Sequence, residues 1–464
     1  MKLGIAVGQY KRAIAAVQTC VNMFPERSEG RALADITLRP TPGLTAFSAI
    51  GGGGRSELYT FNDVLYAVTG GMLYSITSTG VATAIGAINT NGLVTIADDG
   101  ADMLIVTGGT VRFVEQYFLV SGRNILAGYI FNGTTLTAIT DVDFPLGDLR
   151  SKMYYSDLGE GSIWRALNFF SAESNPDSIR GHIVSHGNLL IFGEKSLEYW
   201  TPTGAADLPF QKSQGSEQER GCLSGQAIVG LDNTIFFLGD DRVVYKVLDF
   251  RPVRVSHHAL EATLETLTLA QLNAARAFSY TQSGHFFYCL TIAGVTWVYD
   301  ATVSAMLQAP VWHIRSSNSV AWRVQWYAEA YGVKYGLDEQ GTVWSIGPQT
   351  YTENGAAIPW EFVIGPFTKE AENVTCPRLT LLCETGSTQN LAADPQVECD
   401  VSRDLGRTWF TKGSRSLGQT GDYQRTVTWR RNGDASATPG FTFRFRGERN
   451  YSFSVMDVVA DIHD

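Results

Sequence analysis

The sequence predicts an all-β protein: a β-propeller-like platform over residues 51–350 and a β-sandwich-like module over 351–464, preceded by an N-terminal segment over 1–50 and carrying one short amphipathic helix. Three observations carry this reading. A unit made of an alternating apolar strand, a tight Gly/Asn/Asp turn and a second strand ending in Tyr, Trp or Phe recurs from about residue 55 to 350. Glycine reaches 47 residues and aromatics 11%, a composition of turns and half-buried strands. Beyond about residue 350 the texture changes to short strands with turn-rich spacers.

Taken in order, residues 39–44 (RPTPGL) give a strong turn signal, and the glycines 51–54 read as a flexible joint. Hairpin units follow at 61–77, 100–114, 185–200, 231–247, 284–299 and 331–346. Each buries one face alone and needs neighbours of its own kind, as propeller blades do. The spacing does not set the blade number. Residues 258–278 break the pattern: Leu260, Leu264 and Leu267 share one helical face, with Glu261 and Glu265 on another. That helix is read as a connector packed on blade edges, with an oligomer contact as the alternative. The C-terminal strands are expected at 360–364, 379–383, 397–401, 426–430, 441–446 and 453–459, with mobile loops at 419–422 and 432–440.

Charge and composition exclude several classes. A 44% hydrophobic, 18% charged chain can build a sizeable core. A net charge of −10 argues against a general phosphate-gripping surface, which needs clustered Lys and Arg. The six cysteines form no CxxC pair and have no His at metal-ligand spacing, so they read as reduced and buried, as in a cytosol. The apolar run at 3–8 is too short for a secretory leader and is broken by Gln9, Lys11 and Arg12, and no stretch reaches membrane-spanning length. A soluble, non-exported protein folded in a reducing cytosol is expected, and the sequons it contains carry no weight. Neither a catalytic residue nor a metal or cofactor site is assigned.

Residues 402–409 match S-x-D-x-G-x-T-W, an Asp-box. Asp404 is expected to accept turn amides beside Ser402 and Thr408, Gly406 to supply a positive φ, and Trp409 to pack beneath the hairpin. Sialidases carry such boxes on propeller blades, so a glycan-cleaving or glycan-binding propeller is the alternative reading. Here the box occurs once and outside the propeller, with no carboxylate pair assignable from sequence. His257-His258 reads as a surface pair, and His186 and His285 as hydrogen-bonded structural residues. Arginines at 425–431 and 444–449 line either a solvated sheet face or a docking patch for an acidic protein partner or DNA phosphate.

Several segments in order resemble the packaged-DNA stabilisation, or tail nozzle and tail hub, proteins of short-tailed bacteriophages. They are NMFPE at 22–26, TPGL at 41–44 and SAESNPD at 171–177, with Asn175, Pro176 and Asp177. GNLLIFGEKSLEYW at 187–200 follows, with Gly193, Glu198 and Trp200. ERGC at 219–222 with Gly221, FLG at 237–239, GHFFY at 284–288 with Gly284 and His285, VYD at 298–300 with Tyr299 and Asp300, and Trp312 complete the series. The last 110 residues or so match less clearly. The resemblance implies a virion tail protein that assembles as a ring, typically six copies, beneath the portal and adaptor. It implies that the ring extends the conduit for double-stranded DNA, helps retain the packaged genome and docks fibres, a spike or a plug. No catalysis is implied. Six such chains would carry about −60 formal charge, so DNA near them is repelled and retention falls to a constriction or plug. A propeller scaffold unrelated to virions is the third reading. Loops around 175–176 and 210–219 are candidate subunit or adaptor contacts, or ordinary blade connections.

Overall fold

The computed structural model describes residues 10–12, 16–27, 35–172, 177–205, 208–368, 373–387 and 394–463. Their strands build seven four-stranded blades, five as separate sheets and two as parts of a larger sheet. Blade 1 holds Glu57–Phe61, Val64–Thr69, Met72–Ile76 and Ala82–Ala87. Blade 4 holds Ile179–Ser185, Asn188–Gly193, Leu197–Pro202 and Phe210–Lys212. Blade 5 holds Val229–Leu231, Thr234–Leu238, Val244–Leu248 and Arg251–Arg254. Blade 6 holds Arg276–Gln282, His285–Ile292, Val295–Asp300 and Trp312–Ser317. Blade 7 holds Trp326–Ala330, Val333–Leu337 and Thr342–Gly347, and its outer strand is Gly43–Ala49 from the N-terminal region. First strands of successive blades touch in order, and the first strand of blade 7 touches that of blade 1, so the ring is closed.

Blades 2 and 3 are interleaved. Blade 2 pairs Val94–Asp98 and Met103–Thr107 with Ala127–Phe131 and Leu136–Ala138. Blade 3 pairs Thr110–Val114 and Tyr117–Ser121 with Lys152–Asp157 and Glu160–Ser171. The hairpin expected at 100–114 therefore does not form, because its two strands lie in different blades. The crossing happens at Gly108-Gly109. A Cβ on Gly108 would stand 1.7 Å from the Asn124 carbonyl oxygen, so only glycine passes there.

Blade strands bury both faces, not one. In Asn188–Gly193, Leu189 and Ile191 join the core shared with blade 3, while Leu190 and Phe192 join the core shared with blade 5. One such cluster fills each gap between neighbouring blades. This is why the second strands, MLIVT and TIFFL among them, run apolar at nearly every position. The expected helix at 258–278 is instead two, His258–Glu265 and Leu269–Asn273, because Thr268 starts a new turn with a capping box to Gln271. The strand Arg276–Gln282 follows directly. Leu260, Leu264 and Leu272 are buried between blades 5 and 6, the connector role. A third helix, Ala301–Leu307, is capped by Asp300.

The C-terminal module is a β-sandwich. One sheet holds Ala356–Phe367, Phe441–Arg449, Gln396–Ser402 and Phe410–Ser416. The other holds Val455–His463, Val374–Cys383 and Val427–Arg430. The first fifty residues divide between the two parts. Met23–Arg27 and Ile36–Pro40 extend the second sandwich sheet, Ala16–Val21 pairs with Ala356–Phe367, and Gly43–Ala49 completes blade 7. Cys20, Met23 and Leu38 lie in the sandwich core. The glycines 51–54, expected as a flexible joint, are tied down: Gly53 donates to the Thr69 hydroxyl at 3.1 Å and accepts from the Gly70 amide at 3.0 Å. In the loop at 432–440, expected as mobile, Asn432 is fully buried and Asp434–Ala435 pairs with Val374–Cys383.

Phe237 sits fully buried between blades 4 and 5. Phe237→Ala is expected to cost about 3–5 kcal/mol, read from the midpoint of denaturant unfolding.

Candidate functional site

The most constrained site is the joint between propeller and sandwich, and it is built by the segments NMFPE and TPGL. Asn22 is buried with φ 55°, a left-handed conformation that Asn tolerates better than most residues. Its amide nitrogen donates to the Ser316 carbonyl of blade 6 at 3.0 Å and to the Pro359 carbonyl of the sandwich at 2.8 Å, and its side-chain oxygen accepts from the Ser316 amide at 2.9 Å. One side chain thus staples both domains. The Thr41 hydroxyl donates to the Asn22 carbonyl at 3.1 Å. The Arg315 guanidinium donates to the Pro42 carbonyl at 2.8 Å and lies 3.4 Å over the Trp322 ring. Glu353, on the link into the sandwich, accepts from Arg323 at 2.6 Å and from Ser317 at 2.5 Å. Arg449, fully buried, donates to the Thr41 carbonyl; burial and the charge of Arg315 pull its pKa down to about 9.

A second cluster braces blades 4 and 5. Asn175 and Pro176 lie outside the described residues. Asp177 accepts from the Lys195 amide at 2.6 Å and the Ser196 hydroxyl at 3.2 Å. Its carboxylate packs so closely on Gly193 that a Cβ there would meet it at 2.5 Å. Gly221 crosses the same turn, where a Cβ would meet the Glu194 carbonyl at 2.0 Å, and its amide donates to Asp240 at 3.1 Å. Asp240 also pairs with Lys195 at 2.8 Å. Buried Glu198 accepts from the Trp200 indole at 2.8 Å.

In blade 6, Gly284 (φ 83°) makes the turn before His285. His285 and Asp300 are both buried and share a hydrogen bond of 2.7 Å, while the other Asp300 oxygen caps the helix Ala301–Leu307. Phe24 meets the His285 ring edge-on at 5.0 Å, and Tyr299 packs 5.2 Å from Trp312. His257 caps its helix by accepting from the Leu260 amide at 3.0 Å.

The Asp-box is a closed local network. Asp404 accepts from Ser402 at 2.7 Å, from the Thr408 amide at 2.9 Å and from its hydroxyl at 2.5 Å, and these bonds pull its pKa down to about 2. Gly406 has φ 79°. Trp409 carries the Arg444 guanidinium 4.5 Å over its ring. That arginine also donates from Nε and Nη2 to one oxygen of Asp400, at 2.9 and 2.7 Å, and Arg446 pairs with Glu398 at 2.9 Å. The 444–449 arginines are thus neutralised by their own sheet or, for Arg449, buried.

Two concavities stand out. A cleft of about 1010 Å³ opens at the joint, lined by Arg315, Trp360, Glu361, Glu398 and Arg446 among others. A cavity of about 670 Å³ runs between the first strands of the blades, lined by Glu57, Tyr59, Arg112, Arg276 and Tyr327 among others. Burial there pushes Glu57 up to about 7, against the pull of Arg112 and Arg276, and lowers the pKa of Arg112. The six cysteines are buried and none is in a disulfide. Among the described residues no cluster could hold a metal ion, and no helix is long and apolar enough to cross a membrane. Sequence reasoning did not single out Arg315, Glu353 or Glu57. Each is a lone charge in an apolar strand or turn, and only the closed ring shows what it faces.

A family model described as Bacteriophage P22 Gp10, beta-propeller, matches residues 1–338, and another described as Bacteriophage P22 Gp10, beta-sandwich, matches residues 359–461. No curated protein matches the chain. Among solved structures, BamB from Moraxella catarrhalis is similar at 12% identity and TM-score 0.32, over 72% of this chain and 99% of that one. The Pan2 WD40 domain of Neurospora crassa is similar at 12% identity and TM-score 0.38, over 66% and 96%. Likeness at that level carries no argument.

Asn22→Ala removes the side-chain partner of three backbone groups at the joint, two of them buried, and places a Cβ-bearing residue with no side-chain hydrogen bond in a left-handed turn. It is expected to destabilise the chain by about 3 kcal/mol or more, with Asn22→Gly recovering about 1 kcal/mol of that, measured by denaturant unfolding. Glu57 has a folded pKa above its unfolded one, so the stability linked to its proton is full below about pH 4.5 and lost as pH rises through about 7. Glu57→Gln is therefore expected to raise the melting temperature at pH 8 and leave it nearly unchanged at pH 4, read by calorimetry across pH.

Proposed function

The chain belongs to the bacteriophage P22 Gp10 family, and from that premise we propose that it is a subunit of the tail nozzle or hub. It is a phage structural protein that stabilises packaged DNA. In this reading copies form a ring beneath the portal and adaptor, extend the DNA conduit, help hold the genome and carry fibres, a spike or a plug. The observation that carries it is the match of both family models, in order, to a propeller and a sandwich joined by the buried Asn22 staple. Such a joint lets one rigid body bear load at two ends.

The electrostatics support the same reading. At −10 per chain, with the arginines of 444–449 paired or buried, the protein offers DNA little to grip. Retention then rests on a constriction rather than on adhesion. The glycan-cleaving alternative draws less support, because the oxygens of Asp404 are already engaged by Ser402 and Thr408 inside their own turn.

Electron cryo-microscopy of virion tails is expected to show copies of this fold in a ring around the DNA path below the adaptor. A ring whose lumen contacts DNA phosphates through basic side chains along its length would overturn the electrostatic part. Absence of the protein from the tail would overturn the whole reading.

A further inference from the structure

The cavity along the propeller axis takes residues from the first strand of every blade, and two guanidiniums line it. Arg276, from blade 6, is answered. It pairs with Glu339 at 3.3 Å and lies 4.8 Å over the Trp326 ring. Arg112, from blade 3, is half-buried and is not answered. Its Nη1 donates to the carbonyl of its own neighbour Val111 at 2.8 Å, and it makes no ion pair among the described residues.

Two carboxyl groups line the same space, and neither supplies the missing charge. Asp98, from blade 2, is engaged on both oxygens: one accepts from the Tyr59 hydroxyl at 2.5 Å and the other from the Gly100 amide at 3.0 Å. Glu57, from blade 1, accepts from the Leu58 amide at 3.2 Å and pairs with neither arginine among the described residues. Burial pushes it up to about 7, so near neutral pH it is uncharged about half the time. A cation drawn away from bulk water with no anion beside it is costly.

The chemistry that answers a free guanidinium is an oxyanion, because the planar fork meets a carboxylate or phosphate through two parallel hydrogen bonds. The space suits a molecule larger than a bare ion. Its volume of about 670 Å³ lies within the ordinary size of small-molecule sites, roughly 300–1,000 Å³. Tyr59, Phe113 and Tyr327 give it aromatic walls.

We propose that the axial cavity binds a small organic anion, whose carboxylate or phosphate group engages Arg112 and whose body rests among Tyr59, Phe113 and Tyr327. The site is independent of how copies of the chain assemble. An occupant touches blades 1 and 3, which share no core cluster, and so braces the ring across its centre. The titratable and charged groups around Arg112 and Glu57 are Tyr59, Asp98, His182, Arg276 and Tyr327, with Arg55 and Glu339 beside Arg276. Burial and the charge of Arg112 pull His182 down to about 3, and burial raises both tyrosines, so none of these three changes charge between pH 6 and 8. Glu57 does. An anion on Arg112 opposes the charging of Glu57, so binding is tighter below about pH 7, where Glu57 holds its proton.

The test uses the full-length chain, isothermal titration calorimetry and thermal melts, with phenyl phosphate, benzoate and sulfate as probes. Phenyl phosphate or benzoate is expected to bind once per chain and to raise the melting temperature, and the tighter of the two identifies the group the site takes. Arg112→Gln is expected to weaken that binding roughly tenfold or more while the melting temperature of the unliganded chain holds or rises. Arg112→Lys, which keeps the charge and loses the fork, is expected to fall between. Sulfate stays doubly charged from pH 6 to 8 and is expected to bind about threefold or more tighter at pH 6, a difference that Glu57→Gln removes. Failure of all three probes to bind at millimolar concentration would overturn the site. Binding undiminished in Arg112→Gln would place the anion elsewhere on the chain and overturn it too, as would sulfate binding that neither aromatic anion competes for. A flat pH profile in the wild type would overturn the part given to Glu57.

Discussion

A propeller blade has two apolar faces and no core of its own, so no blade is stable until it stands between two neighbours. That single constraint governs this molecule. The clusters between blades account for nearly all buried apolar residues from 57 to 347, and each is contributed by two sheets. The ring therefore has to close, and the strand that completes blade 7 comes from Gly43–Ala49, some three hundred residues from its partner Thr342–Gly347. Closing so long a loop is entropically costly and slow.

The answer to that cost is the sandwich. The chain passes through it before entering the propeller and again after leaving it, with Ile36–Pro40 lying beside the last strand, Val455–His463. Asn22, Thr41, Arg315 and Glu353 lock these two passes to blade 6 at the place where the ring is sealed. The residues that made the sequence recognisable are mostly of this kind. Asp177, Gly193 and Gly221 interlock around one turn, and His285 with Asp300 positions a helix start. They hold backbone against backbone.

How much could be read beforehand follows from the range of each interaction. Local alternation and turn chemistry revealed the hairpins within blades 1, 4, 5, 6 and 7, because their paired strands are adjacent in sequence. The Asp-box was legible for the same reason: Ser402, Asp404 and Thr408 bond within seven residues. The interleaving of blades 2 and 3 was not, since Met103–Thr107 followed by Gly-Gly and Thr110–Val114 has the spelling of a hairpin, and the close approach of Gly108 to the Asn124 carbonyl exists only once the two strands have gone to different sheets. Nor was the fate of residues 258–278, where Thr268 restarts a helix that the leucine spacing alone would continue. Arg449 looked like one more surface cation among alternating arginines, and its burial depends on the Thr41 carbonyl hundreds of residues away.

The interleaved pair has a mechanical meaning. In an ordinary propeller a tug on the chain can strip one blade, strand by strand, while the next stays intact. Here the path runs from blade 2 to blade 3 and back to each in turn, so a force that frees Ala127–Phe131 must first drag on strands of both sheets loaded in shear. A phage structural protein that stabilises packaged DNA has, in that sector of its propeller, a seam whose strands alternate between two sheets and offer no single end to unzip from.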